Sequence, residues 1–121
     1  MHNTVTIGKQ AEQYACQFIL AQGLQIIAQN WYCRQGEIDI IARDDDTVIF
    51  IEVRYRKRAE YGNGAESVHY YKRKRIISCA RHYIHTHPAT EKCMIRFDVF
   101  SMSKDSDGQF NSHWIQDAFQ T

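Results

Sequence analysis

Three acids stand inside the most apolar part of this sequence. In "RQGEIDIIARDDDTVIFIEVRYRK", residues 34–57, Glu37, Asp39 and Glu52 interrupt two runs of isoleucine and valine that flank Asp44, Asp45 and Asp46. Such runs around turn-forming residues predict a β-hairpin. A two-residue loop at Asp45–Asp46 opposes residues whose numbers sum to 91. One face then pairs Ile38 with Val53, Ile40 with Ile51 and Ala42 with Ile49, all apolar, so this register buries a clean face. The other face pairs Glu37 with Arg54, Asp39 with Glu52, Ile41 with Phe50 and Arg43 with Val48. A slip of one residue would mix acids with aliphatics on both faces.

In that register Asp39 and Glu52 face one another with β-carbons about 4.5–5.5 Å apart. Two like charges so placed repel, and one pKa must rise unless a cation intervenes. A hard divalent ion resolves the conflict, because Mg²⁺ is commonly held by one or two carboxylates and keeps several waters. The plainer alternative is a surface hairpin with a polar outer face. Glu37 opposite Arg54 reads as an ordinary cross-strand ion pair, with Arg54 also beside the proposed cation. Glu12 adds a third acid, on a helical face with Ala15, Cys16 and Ile19, where it needs a partner or is simply an exposed boundary residue.

The elements that must position these acids follow from periodicity. Ile7 to Gln22 predicts an amphipathic helix stopped at Gly23. Residues 24–30 predict a short strand, followed by a turn around Cys33–Gly36 and the hairpin. Residues 55–66 combine basic residues with Gly62 and Gly64 and predict a basic loop. A second helix is expected from about Tyr70 to His85, with Ile76, Ile77, Ala80, Tyr83 and Ile84 inward and Pro88 beyond its end. Residues 93–102 predict another strand, 105–108 a turn, and 110–119 a last strand or short helix. The order is α-β-β-β-α-β with a further element, which predicts a mixed sheet with helices packed on it.

Charge is unevenly spread. The chain of 121 residues has a net charge of +1, yet residues 54–81 hold nine lysines and arginines against Glu60 and Glu66. That window of +7 predicts a local face for a polyanion, against the plain alternative of a solvated charged surface. Tyr55, Tyr61, Tyr70 and Tyr71 lie among these charges and suit either stacking on unpaired bases or core packing. No apolar run approaches a membrane span and the N-terminus lacks a signal-peptide core, so a cytoplasmic protein is expected. Cys16, Cys33, Cys79 and Cys93 form no C-x-x-C pair, and reduced thiols are expected. Cys79, His82, His85, His87 and Cys93 match no standard zinc spacing, and no zinc is expected.

Gly8 and Glu12, "GEIDIIARD", "IFIEVRYR", "YYKRKRIISCARHYI" and "RFDVF" together resemble the YraN family of small bacterial proteins. That family resembles the PD-(D/E)xK nuclease superfamily, particularly its Holliday-junction-resolvase-like members. The similarity runs from about Gly8 to Phe119. It implies an α/β fold of the restriction-endonuclease-like kind, with an α-β-β-β-α-β core in one domain spanning residues 1–121. It also implies that Asp39 and Glu52 are the acidic motif residues and that Glu12 is the helix-borne acid. Two departures are visible: Ile38 replaces the motif proline, and Arg54 stands at the lysine position. Arginine can stabilise charge on a phosphoryl oxygen but cannot give or take a proton.

The expected activity is Mg²⁺- or Mn²⁺-dependent cleavage of DNA. Asp39 and Glu52 would hold the ion, with the Val53 backbone carbonyl and with Glu12 through water. Arg54 would stabilise developing charge, while Arg56, Lys57, Arg58, Lys72, Lys74 and Arg75 hold phosphates in a salt-dependent way. The resolvase analogy suggests a homodimer. The alternatives are a non-catalytic nucleic-acid-binding module, favoured by Arg54, and an adaptor whose basic loop meets an acidic protein.

Overall fold

A computed structural model describes residues 4–56 and 70–121. Lys57, Arg58 and Tyr61 lie outside the described residues, as does most of the expected basic loop.

Helix α1, Thr4–Ala21, forms because Ala11, Ala15, Cys16 and Ile19 recur on one face, and all four are buried. Its C-terminus is closed at Gly23, which adopts φ +91° and donates its N–H to the Leu20 carbonyl at 2.9 Å. Strands β1 (Gln25–Cys33), β2 (Gly36–Asp44) and β3 (Thr47–Arg56) follow. Helix α2, Tyr70–Thr86, buries Ile76, Cys79, Ala80 and Tyr83 at helical spacing. A 3₁₀ turn at Pro88–Thr90 leads to β4, Met94–Lys104, and β5, Phe110–Phe119.

The sheet order is β1-β2-β3-β4-β5, antiparallel except between β3 and β4, which α2 connects. The expectation of a mixed sheet flanked by helices holds at this level, and the last element is a strand. Two apolar clusters lie on the two faces of the sheet. α1 packs with Ile40, Ala42, Ile49, Ile51, Phe100 and Met102. α2 packs with Ile38, Ile41, Val48, Phe50, Phe97 and Val99. Burying side chains of this size contributes about 1.5–3 kcal/mol each, so the two clusters hold both helices.

The hairpin register is the one that buries the isoleucines: Ile40 pairs with Ile51, Ile41 with Phe50 and Ala42 with Ile49. Two expectations need correction. The β2–β3 ladder ends at Ile40 and Ile51 instead of running to residues 37 and 54. Beyond it the Asp39 side chain takes over, its Oδ2 accepting the Val53 N–H at 2.8 Å. Ile38 also leaves the predicted face, joining the α2 cluster while Ile40 joins the α1 cluster. Across β1, Asn30 adopts φ 48°, a left-handed conformation that asparagine tolerates better than most residues. The side-chain alternation of both strands therefore breaks at the level of Asn30 and Asp39. β1 also runs on to Cys33, three residues past its expected end.

The cysteines need a further correction. Cys33, at the end of β1, and Cys79, inside α2, form a disulfide with Cα atoms 5.6 Å apart. They are 46 residues apart in sequence, so no local spacing motif announces the pair; packing α2 over β1 brings them within bridging range. Cys16 and Cys93 are free. Among the described residues, no helix is long and apolar enough to cross a membrane.

Candidate functional site

Where β2 and β3 part, a cleft of about 630 Å³ opens between the N-terminal parts of both helices. Gly8, Ala11 and Glu12 of α1 form one side, and Lys72, Arg75 and Ile76 of α2 another. Asp39, Glu52 and Val53 lie on the strands, and Glu37 and Tyr32 complete the wall towards β1.

Asp39 and Glu52 are 8% and 5% exposed, and their carboxyl groups hydrogen-bond to one another. Burial first, and the Glu52 charge second, push the Asp39 pKa up to about 9. The Val53 N–H pulls the other way and does not compensate. This is the conflict expected of two buried acids sharing one place. Lys72 forms an ion pair with Glu52 from α2, with its side chain 39% exposed. Glu12 is tied by Asn30, whose Nδ2 donates to Glu12 Oε1 at 3.0 Å. Glu12 also raises the pKa of Cys16, after the larger effect of burial.

The basic residues divide. Lys72 and Arg75 line the cleft. Lys74 turns away, its ammonium 4.8 Å from the Tyr70 ring centroid, and with Arg73 lines a second hollow against the C-terminal residues. Arg54 is half-buried opposite Ser101 of β4 and is not among the residues lining the cleft. Arg56 ends β3.

Sequence reasoning missed Asn30, Tyr32, the link from Lys72 to Glu52 and the environment of Glu37. Tyr32 and Glu37 are opposed across the β1–β2 ladder. Glu37 raises the Tyr32 pKa, and Glu37 Oε2 is buried with no hydrogen-bond partner among the described residues. The signal for these two was their adjacency to the turn at Cys33–Gly36, which becomes informative only once β1 extends through Cys33.

Two of the five side chains weighed for zinc have other partners. Cys79 is in the disulfide, and His87 stacks on Tyr83 with ring centroids 3.8 Å apart. Among the described residues no three His, Cys, Asp or Glu side chains form a ready metal-binding group. A cation at Asp39 and Glu52 would therefore rest on those two carboxylates plus backbone or water oxygens. That all-oxygen set, in which a cation would replace the proton that Asp39 and Glu52 share, suits a hard divalent ion and not a soft metal.

The model of the uncharacterised protein family UPF0102 matches residues 11–102, which hold both acids, Lys72 and the disulfide pair. The chain belongs to the UPF0102 family, the YraN family. A UPF0102 protein of Alcanivorax borkumensis is 43% identical over 93% of this chain and 90% of its own length. A UPF0102 protein of Nitrosococcus oceani is 39% identical over 93% of this chain and 90% of its own. One from Psychromonas ingrahamii is 43% identical over 93% and 88% respectively. The matched residues thus include the cleft apart from Gly8, all of α2 and α1 from Ala11 onward.

Proposed function

We propose that this UPF0102 protein is a divalent-cation-dependent phosphodiesterase, an endonuclease acting on DNA, with a restriction-endonuclease-like fold. The observation that carries this reading is the meeting of Asp39 and Glu52 where two strands part, beneath a cationic helix. A single structural ion pair would need one acid; here two are buried together and only one has a lysine.

Asp39 and Glu52 would hold Mg²⁺ or Mn²⁺, with the Val53 carbonyl and with Glu12 through water, and the ion would supply phosphoryl polarisation and a bound water of lowered pKa. Val53 has a second task, since its N–H fixes the Asp39 carboxylate. Asn30 fixes Glu12 in the same way. Lys72 supplies from α2 the lysine that β3 lacks at Arg54. Its ammonium, already at Glu52, is placed to stabilise charge on a phosphoryl oxygen. Arg75 lines the same cleft and would orient a neighbouring phosphate.

Helix electrostatics support a polyanion here. α2 carries Lys72, Arg73, Lys74 and Arg75 near its N-terminus and no acid in its first turn. Cations at that end oppose the helix dipole by about 0.3–1 kcal/mol each, an opposition a bound phosphate backbone relieves.

The test is a cleavage screen over single-stranded, flapped, branched and duplex DNA with Mg²⁺ or Mn²⁺, beside Asp39→Ala. Cutting by the native protein that is lost in Asp39→Ala supports the proposal. No cutting of any substrate removes it. Arg54 keeps the non-catalytic binding module as the second reading, which predicts salt-dependent binding with no dependence on metal.

A further inference from the structure

The cleft has a wall that the proposed chemistry does not use. At the end of β1 two consecutive aromatic residues part company. Trp31 turns inward, 5.3 Å from the Tyr83 ring centroid at 86°. Tyr32 lines the cleft and is 71% exposed.

An exposed aromatic is ordinary by itself, but Tyr32 differs in two ways. It stands opposite Glu37 in the β1–β2 ladder, and that neighbouring acid raises the tyrosine pKa. The ring is open to solvent, and a tyrosine side chain has only two torsions to fix, so little conformational freedom is lost when something stacks on it. Its position is also specific. Glu37 precedes Asp39 by two residues on β2, about 7 Å along the strand. Lys72 and Arg75 stand across the cleft. Tyr32 therefore shares one cleft with the two acids and the two cations.

We propose that Tyr32 is a stacking platform for an unpaired nucleobase next to the phosphate bound at Asp39 and Glu52, so that the cleft takes single-stranded or branched nucleic acid in preference to continuous duplex. A base inside a duplex has its faces covered by its neighbours and cannot reach the ring, whereas an unpaired base can, whatever its identity. This inference rests on the phosphodiester-binding reading of the cleft but not on turnover.

The test is fluorescence anisotropy in EDTA at low salt, with a short labelled single strand and the blunt duplex of the same sequence. Native protein is compared with Tyr32→Ala, Tyr32→Phe and Tyr32→Trp, each checked for a native melting curve. Tyr32→Ala should weaken single-strand binding about tenfold and change duplex binding by less than about twofold. Tyr32→Trp and Tyr32→Phe should both keep the single-strand affinity, because each retains an aromatic face. Equal losses on both probes, or none on either, would overturn the inference while leaving nucleic-acid binding intact. Native protein that binds neither probe would overturn the nucleic-acid reading and this inference together.

Discussion

Asp39 and Asp98 are both buried aspartates in the sheet, and they live in opposite circumstances. Asp98 is fully buried, and its two oxygens accept four hydrogen bonds at 2.9 Å. Two come from the Arg96 guanidinium, one from Trp114 Nε1 and one from the Asp117 N–H. The β4–β5 ladder breaks between Phe97 and Val99, and Asp117 adopts φ 54°, so the carboxylate closes an irregularity in the sheet. Asp39 also sits beside a residue of positive φ, Asn30 at 48°. Its one backbone donor is the Val53 N–H, and its other neighbour is a second acid. The same local device, a buried aspartate at a break in the sheet, is used once to satisfy the backbone and once to leave a conflict. A fully satisfied carboxylate stabilises the fold and has little capacity left for a ligand. A conflicted one weakens the fold and gains when a cation arrives.

Removing Asp98 should have the largest effect on stability. Asp98→Ala leaves a partly buried guanidinium and an indole N–H unpaired, and should cost about 3–5 kcal/mol in urea unfolding. A loss no larger than that of an ordinary surface substitution would break the contrast. Next comes the disulfide, which closes a long loop and ties β1 to α2 on the cleft side. Reduction, or Cys33→Ser with Cys79→Ala, should lower stability by about 2–4 kcal/mol. Hydrogen exchange should rise along β1 and α2 before it rises around Asp98. Asn30→Ala should cost about 1–2 kcal/mol from left-handed strain, with Asn30→Gly costing less.

Asp39→Asn should act in the opposite direction to Asp98→Ala. Because the folded pKa of Asp39 is about 9, against 3.8 ordinarily, the folded state holds a proton that the unfolded state releases. The stability this group contributes is fully present below about pH 4 and is lost as pH rises towards about 9. Asp39→Asn removes that slope and should stabilise the metal-free protein by about 0.5–2 kcal/mol at pH 8, less at pH 5. Melting curves at the two pH values check this, and a destabilised Asp39→Asn would place Asp39 with Asp98. Mg²⁺ should raise the melting temperature of the native protein more at pH 8 than at pH 6, and leave Asp39→Asn unmoved.

The register of the hairpin was legible because side-chain alternation in a strand leaves one pairing that buries the isoleucines. Both helices were legible from their apolar stripes. Asp39 and Glu52 do meet, but past the end of the ladder, where the Asp39 side chain bonds the Val53 N–H in place of a strand pair. Ile38 was misplaced for a physical reason: alternation assumes a regular strand, and Asp39 breaks the ladder by bonding Val53 with its side chain. The disulfide and the reach of Lys72 to Glu52 were illegible because both join α2 to strands far away in sequence.

By itself, then, the sequence determined the elements and the hairpin register from Ile40–Ile51 to the turn, because these depend on interactions between near neighbours along the chain. Which cation meets Asp39 and Glu52 was decided by tertiary structure. α2 lies across the sheet and delivers Lys72, while Arg54, closer in sequence, does not line the cleft. Tertiary structure also separated Asp39 from Asp98, since donors supplied by distant strands satisfy one aspartate and leave the other with Glu52.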